Sequence, residues 1–344
     1  MNFQNDRYTL RLAGPADDDG IREIFESGSF SGGLSVQYLR PKPLSSFAAD
    51  GDEARILVVR DNEQERIAAV GGAVVQRCFL DGDITRCAYL TGLKIHSDYR
   101  KQIFFIARAY GFLSEQLSDC GCCYTTILDD NAPVIRMMEK RRRNMPEYRY
   151  IGHYTTFCFN DAKNILPVEC GRTEGLDRLM DTYFSGFALA PADTGLLGLG
   201  GKSFYSLRGS DGEIIACCFA GDQRRTKQYR LSSYGGIFRP LSHLPTSLLG
   251  YPAFPKEGEI IDHGVISFLY IKDNDPKLCR RFLRTVAYMQ DNSLLLWGCM
   301  DDHPLYGAMK SVKAVRYGSR LYEVVFDGRD ARLSGNIGME AALL

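Results

Sequence analysis

The sequence predicts an α/β fold with a mixed sheet, α+β in its strand pairing, assembled from two tandem units. Three observations predict it. The chain has 344 residues, 45% hydrophobic and 24% charged, a globular composition whose length suits two domains. Short apolar strands alternate with amphipathic helices in both halves. The second half then repeats the order of elements of the first.

The first half justifies the reading element by element. YTLRLA is a strand, and DDDGIREIF opens a helix whose acidic first turn complements the helix dipole. ARILVVRD, IAAVGGAVVQRCFL and RCAYLTGLKI follow as strands divided by charged or Asp-Gly turns, which predicts an antiparallel meander. Residues 99–117 place Ile103, Phe104, Ala107, Tyr110, Gly111 and Leu113 near helical spacing and lead into the strand CCYTTIL. Strand, helix and neighbouring strand in this order predict a parallel crossover. A helix near 131–141 and a long strand near 148–159 complete the unit. NDAKNILPVECGR, polar at its start and containing Pro167, reads as the link between halves.

In the second half, VISFLYIKDND is a strand and turn, DPKLCRRFLRTVAYMQ a helix, and NSLLLWGCM a strand. DDHPLYGAMKS is a short helix and VRYGSRLYEVVF a closing strand. Both halves carry an Asp-Asp pair after the post-helix strand, Asp129-Asp130 and Asp301-Asp302, with a proline shortly after. The expected units are residues 1–162 and 163–344.

LKIHSDYRKQIFFIARAYGFL, followed by TTILDDNAPVIRMMEK, resembles the signature region of GNAT (Gcn5-related N-acetyltransferase) acyltransferases. There an apolar strand runs through a turn into Tyr-Arg and a helix start, and a later helix opens with asparagine. The likeness covers residues 90–141, and the order of elements extends it to a tandem-GNAT arrangement whose second copy is degenerate. The resemblance implies an acyl-CoA-dependent N-acyltransferase with acetyl-CoA or another acyl-CoA as co-substrate and no metal. Amides of Arg100, Lys101, Gln102, Ile103, Phe104 and Phe105 would cradle the pyrophosphate, as a helix N-terminus does on physical grounds alone. Backbone groups of Leu93 and Ile95 would bind the pantetheine arm, with Asn131 in the family's asparagine position. A strand amide near Leu93 would stabilise the thioester oxyanion, a contact that contributes roughly 3 kcal/mol.

Departures from the pattern matter too. Ile103 and Phe105 stand where the family has glycines, and Met138 where many relatives carry a tyrosine acid. Tyr124, Tyr148 and Asp130 are the candidate proton-transfer residues, with Tyr150 and His96 as further options. Aspartates before a helix also cap it, so Asp129 and Asp130 equally read as caps. Asp273 and Asp275 at the second-half helix start would repel a pyrophosphate, which leaves one cofactor site at most. The run KRRRN reads either as a phosphate contact or as the solvated end of a helix.

Lysine plus arginine equals aspartate plus glutamate at 42 each, so no bulk field draws the chain to nucleic acid or an anionic membrane. With no N-terminal basic-then-apolar pattern, and no run near the roughly 20 apolar residues of a membrane span, the expected location is the cytoplasm. Eleven cysteines in apolar runs read as reduced, buried thiols, with Cys122 and Cys123 opening a buried strand. LLGLGGKS lacks the spacing of a phosphate loop and reads as a flexible loop, as does GYPAFPKEGE. The expected partner is a small-molecule or peptide amine; an oligomer is compatible with the sequence. The alternative reading is a catalytically silent GNAT-fold protein that binds a ligand or partner. A third, transfer from charged transfer RNA, is disfavoured by the zero net charge.

Overall fold

A computed structural model describes residues 3–4, 7–27, 34–99, 104–140, 142–195, 200–236, 238–242, 244 and 246–344. The first half runs β1 (Phe3–Gln4), β2 (Tyr8–Leu12), α1 (Asp18–Glu26), β3 (Leu34–Leu39) and α2 (Pro43–Ala48). The meander β4 (Glu53–Asp61), β5 (Arg66–Leu80) and β6 (Asp83–Ile95) is antiparallel throughout, as the turn residues predict. α3 (Phe104–Gln116) then crosses to β7 (Cys122–Leu128), which pairs parallel with β6. α4 (Ala132–Glu139) and β8 (Glu147–Phe159) follow.

The second half comprises β9 (Glu169–Cys170), α5 (Leu176–Thr182), β10 (Gly200–Arg208), β11 (Ile214–Asp222), β12 (Gln228–Tyr234) and α6 (Phe238–Leu241). It continues with β13 (Gly264–Ile271), α7 (Pro276–Met289), β14 (Leu295–Met300), α8 (Tyr306–Met309) and β15 (Ala314–Val325). The link between halves contributes β9, which pairs with β10. The stretch read from sequence as a loop at 196–203 instead opens β10 from Gly200 onward.

α7 shows why such segments fold locally. Asp275 caps it by accepting from the Lys277 amide at 2.8 Å, and Pro276 occupies the first turn, where no amide partner is lost. Cys279, Phe282, Leu283, Val286 and Ala287 are all buried at i, i+3, i+4, i+7 and i+8 spacing, one stripe against β11, β13 and β14. Truncating the fully buried Phe282 to alanine costs about 3–5 kcal/mol.

One sheet of 13 strands runs through both halves, in the order β1, β2, β4, β5, β6, β7, β15, β8, β14, β13, β11, β10, β9. Its centre is a reciprocal strand exchange. β15, the closing strand of the second half, lies between β7 and β8 of the first, and β8 pairs with β14 of the second. The sequence expectation of two units in series did not foresee this shared seam. A second exchange lies above it, where β3 and β12 form a two-stranded antiparallel ribbon with Tyr38 opposite Tyr229.

Helices cover one face of the central strands: Ile127 and Tyr322 pack against Ile135 and Met138 of α4. The opposite face carries Tyr124, Tyr154 and Leu321, covered by Leu333, Ile337 and Met339 from the segment after β15. All eleven cysteines are unpaired, and all but Cys170 are buried, as apolar surroundings predict. No described helix is long and apolar enough to cross a membrane.

Candidate functional site

The parallel pair β6–β7 is held at Cys87–Cys122, Ala88–Cys123 and Tyr89–Tyr124, and no ladder pairing continues beyond it although both strands do. β6 carries a bulge opposite Val70–Gly72, at Gly92, whose φ is +70°. A side chain is excluded there twice over, because a Cβ on Gly92 would lie 2.9 Å from the Phe47 ring. The second half repeats this construction. β13 and β14 pair only at Gly264–Leu295 and Val265–Leu296, and β13 is bulged where Phe268 has φ +52°. Gly92 stands three residues past the last parallel pair at Tyr89, and Phe268 three past Val265. The internal repeat therefore extends to backbone dihedrals.

The two splayed ends differ in what fills them. In the second, Glu340 from the segment after β15 is buried and accepts the Phe268 amide at 2.8 Å. Burial raises its carboxyl to about 7, partly offset by the hydrogen bond from the Phe268 amide. Ile337, Gly338 and Met339 line the same small cavity with Leu269, Trp297 and His303. Asp275 already occupies the α7 N-terminus with its own carboxylate. At the first splay, Thr125 Oγ1 donates to the Leu90 carbonyl at 2.8 Å, and Tyr89 and Thr126 share a 2.8 Å hydroxyl contact. Leu93 is exposed and Ile95 half-buried.

Arg100, Lys101, Gln102 and Ile103 lie outside the described residues; Phe104 and Phe105 form the first turn of α3. Asn131 is the N-cap residue of α4, and its carbonyl accepts from Ile135 at 3.1 Å. Tyr124 ends the last parallel pair, fully buried beside Tyr89, and burial holds its phenol well above 10. Tyr148 is on the helix-covered face, hydrogen-bonded to Tyr110, and burial likewise raises it well above 10. Asp130 is exposed in the turn after β7. Sequence reasoning thus names residues that the fold distributes over both faces of the sheet. Asp129 does not cap α4, since it stands two residues before the N-cap and its carboxylate meets His153 Nε2 at 2.6 Å. Met138 is a core residue against Ile127, Ile135 and Tyr322.

A buried ionic chamber sits beside the first splay, unannounced by any motif. Arg40 Nη2 lies 2.7 Å from Asp50 Oδ2, and Lys227 Nζ lies 3.4 Å from Oδ1, with all three residues at most 1% exposed. The Arg40 guanidinium stacks over Phe47 at 3.9 Å, the ring that abuts Gly92, and faces Tyr38 at 5.3 Å. Lys227 also donates to the main-chain oxygens of Ala342 at 2.7 Å and Leu344 at 2.9 Å. Burial depresses the Lys227 ammonium to about 8 against the pull of Asp50. Among the described residues, Arg40 Nε and Nη1 and the Tyr38 hydroxyl have no hydrogen-bond partner, so the chamber is polar and not fully satisfied by them. Burial raises the phenol of Tyr317 on β15 well above 10, with Cys158 and then Tyr229 adding to the effect.

Only the fold brings these groups together. Arg40 and Asp50 belong to the first half and Lys227 to the second, and the pairing of β3 with β12 brings them together. Among the described residues no group of three or more His, Cys, Asp or Glu is arranged to hold a metal ion.

No protein-family profile and no curated protein matches the sequence. Solved structures do. Saccharomyces cerevisiae N-myristoyltransferase with bound myristoyl-CoA superposes with TM-score 0.59 at 9% identity, over 98% of this chain and 90% of that one. A second structure of that enzyme with myristoyl-CoA gives 0.61 at 10% identity, over 98% and 85%. A GCN5-related N-acetyltransferase from Anabaena variabilis gives 0.50 at 13% identity, over 92% and 72%. At such identities the likeness shows the architecture alone: the chain has a tandem GNAT fold.

Proposed function

We propose that this protein is an acyl-CoA-dependent N-acyltransferase with its cofactor in the first splay and its amine acceptor in the cleft between the halves. The observation that carries the reading is the asymmetry of the two splays. The second is filled by Glu340 and its neighbours and has a carboxylate on its helix, whereas the first ends in an exposed Leu93 and runs on towards α3.

In this reading residues 1–162 supply the cofactor unit and 163–344 the wall of the acceptor cleft. Leu93 and Ile95 hold the pantetheine arm, and residues 100–105 with Asn131 frame the pyrophosphate and the start of α4. A neutral amine attacks the thioester carbonyl, forming a C–N bond; the C–S bond then breaks, the amine gives up a proton, and the thiolate of coenzyme A departs and is protonated. The bulge amide at Gly92–Leu93 donates to the oxyanion. The repeat supports this, because the equivalent amide of Phe268 already binds a carboxylate oxygen.

Tyr124, at the last parallel pair, is our candidate for the group that meets the departing sulfur. Its phenol stays protonated, and since a thiol sits near 8.5 it contributes a hydrogen bond more readily than full proton transfer. Tyr148 lies across the sheet and Asp130 in the outer turn, so both serve less directly. Acetyl-CoA is the proposed donor, a small-molecule or peptide amine the acceptor, and the cytoplasm the location.

A silent ligand-binding member is the second reading, favoured by Ile103 and Phe105 in the pyrophosphate turn and by Met138 in the core. Calorimetric titration with acetyl-CoA, taken to roughly millimolar, tests both. No binding removes the enzyme and the silent member as a sensor of acyl-CoA. Binding accompanied by thiol release in the presence of amines supports the enzyme, and binding without it supports the silent member. Arg100→Glu is expected to weaken binding strongly and Lys272→Glu to leave it unchanged.

A further inference from the structure

We propose that His153, in its imidazolium form, is a proton-dependent clasp that fastens the two halves together across four neighbouring strands. His153 lies on β8, and its ring is held on both sides. Nε2 meets Asp129 Oδ2 at 2.6 Å, and Nδ1 meets Asp301 Oδ2 at 3.0 Å. Asp129 follows β7 and Asp301 follows β14, so the contact spans β7, β15, β8 and β14. A neutral imidazole has one N–H and can satisfy one carboxylate; only the doubly protonated ring donates to two. Each contact is then a charge-assisted hydrogen bond.

Three further features belong to the same device. Asp129 and Asp301 are equivalent positions of the repeat, the first residue of each Asp-Asp pair, so one imidazole joins the two copies at matching places. Asp129 reaches His153 by passing over Gly318 of β15: a Cβ there would collide with Asp129 Oδ2 and His153 Nε2. Thr155 Oγ1 donates to Asp301 Oδ1 at 2.7 Å and so fixes the second carboxylate from the same strand.

The surroundings set the sign. Burial opposes the charged ring, and the hydrogen bonds that it donates to Asp129 and Asp301 outweigh it, leaving His153 above its ordinary 6.5. Arg320 of β15 approaches Asp129 Oδ1 at 3.9 Å and is itself engaged by Glu139 of α4 at 3.1 Å. Asp130 and Asp302, next in the two turns, add negative charge. A folded-state value raised above the unfolded one means the contribution is complete below about 6.5 and disappears as pH rises through the folded value. With the ring 34% exposed, solvent screening keeps the effect modest.

Two measurements on the full chain test the clasp, and neither needs any activity. The His153 ring signals, assigned by their loss in His153→Gln, are expected to titrate above pH 6.5, and Asp301→Asn to lower that midpoint. The wild-type melting temperature is expected to exceed that of His153→Gln by about 2 °C at pH 5.5, with the gap closing by pH 9. If His153→Gln does not fold, Asp129→Asn takes its place in the melting comparison and Asp301→Asn in the assignment. A His153 midpoint at or below 6.5, or a melting gap independent of pH, overturns the proposal.

Discussion

Replacing Asp50 by asparagine probes the chamber between the halves most sharply. The substitution keeps the shape of the side chain and leaves the main-chain bond from Gln76 to the Asp50 carbonyl in place. What it removes is the counter-charge to Arg40 and Lys227, both buried and both within ion-pair distance of its carboxylate. Breaking a buried pair by removing one partner costs about 3–5 kcal/mol, because an uncompensated charge stays behind. Against a total stability of about 5–15 kcal/mol this is a large fraction.

Lys227 gives the prediction a pH signature. Its folded value is about 8 against an ordinary 10.5, so between those values the unfolded chain binds more protons and stability rises with pH. Removing Asp50 takes away the charge that supports the ammonium, so Lys227 sheds its proton at lower pH in the variant. Urea denaturation is therefore expected to show a loss of about 3–5 kcal/mol at pH 7 and a smaller loss at pH 9.5. Adding Lys227→Met to Asp50→Asn should recover part of the loss at pH 7, since the two residues share one network. A loss below about 1 kcal/mol at pH 7, or strict additivity of the two changes, would refute the reasoning, because it would mean the cations are solvated independently of Asp50.

Other outcomes follow from the same reasoning. Glu340→Gln should stabilise the protein above pH 7, by roughly 3 kcal/mol from the shift between 4.5 and about 7, and have little effect at pH 4.5, where the native carboxyl is already neutral; chemical denaturation at both pH values checks it. Gly92→Ala should cost about 1–3 kcal/mol in thermal unfolding, since it sets a side chain at φ +70° against Phe47. Asp275→Ala removes the α7 cap and should cost about 1 kcal/mol, read in the same melts. Residues 1–162 expressed alone should fail to give a cooperative transition, because β8 loses both neighbours, β15 and β14.

Much of the first half was legible because its signals are local. Asp-Gly and charged turns between apolar runs announce β4 to β6, and the helix after them forces the parallel return of β7. The repeat was legible in the paired Asp-Asp positions. The strand exchange was not, because β8 and β15 read the same from sequence whether they close their own half or the other. The chamber was hidden for a related reason: Lys227 is far from Arg40 and Asp50 in the chain, and nothing local distinguishes the three from surface charges. His153 offered a faint signal, a histidine on a central strand between two repeated acidic pairs, which only the register of β7, β15, β8 and β14 makes specific. Asp129, read as a cap, meets His153 instead, and Met138, at the position of the family's tyrosine, packs in the core.

Hydrogen exchange with and without an acyl-CoA tests the central claim most directly, since it asks where the cofactor sits. The account predicts slowed exchange at residues 90–95 and at the start of α3, with residues 265–270 and the start of α7 unchanged. Protection confined to β13 and α7, or absent from both splays at saturating acyl-CoA, would contradict it.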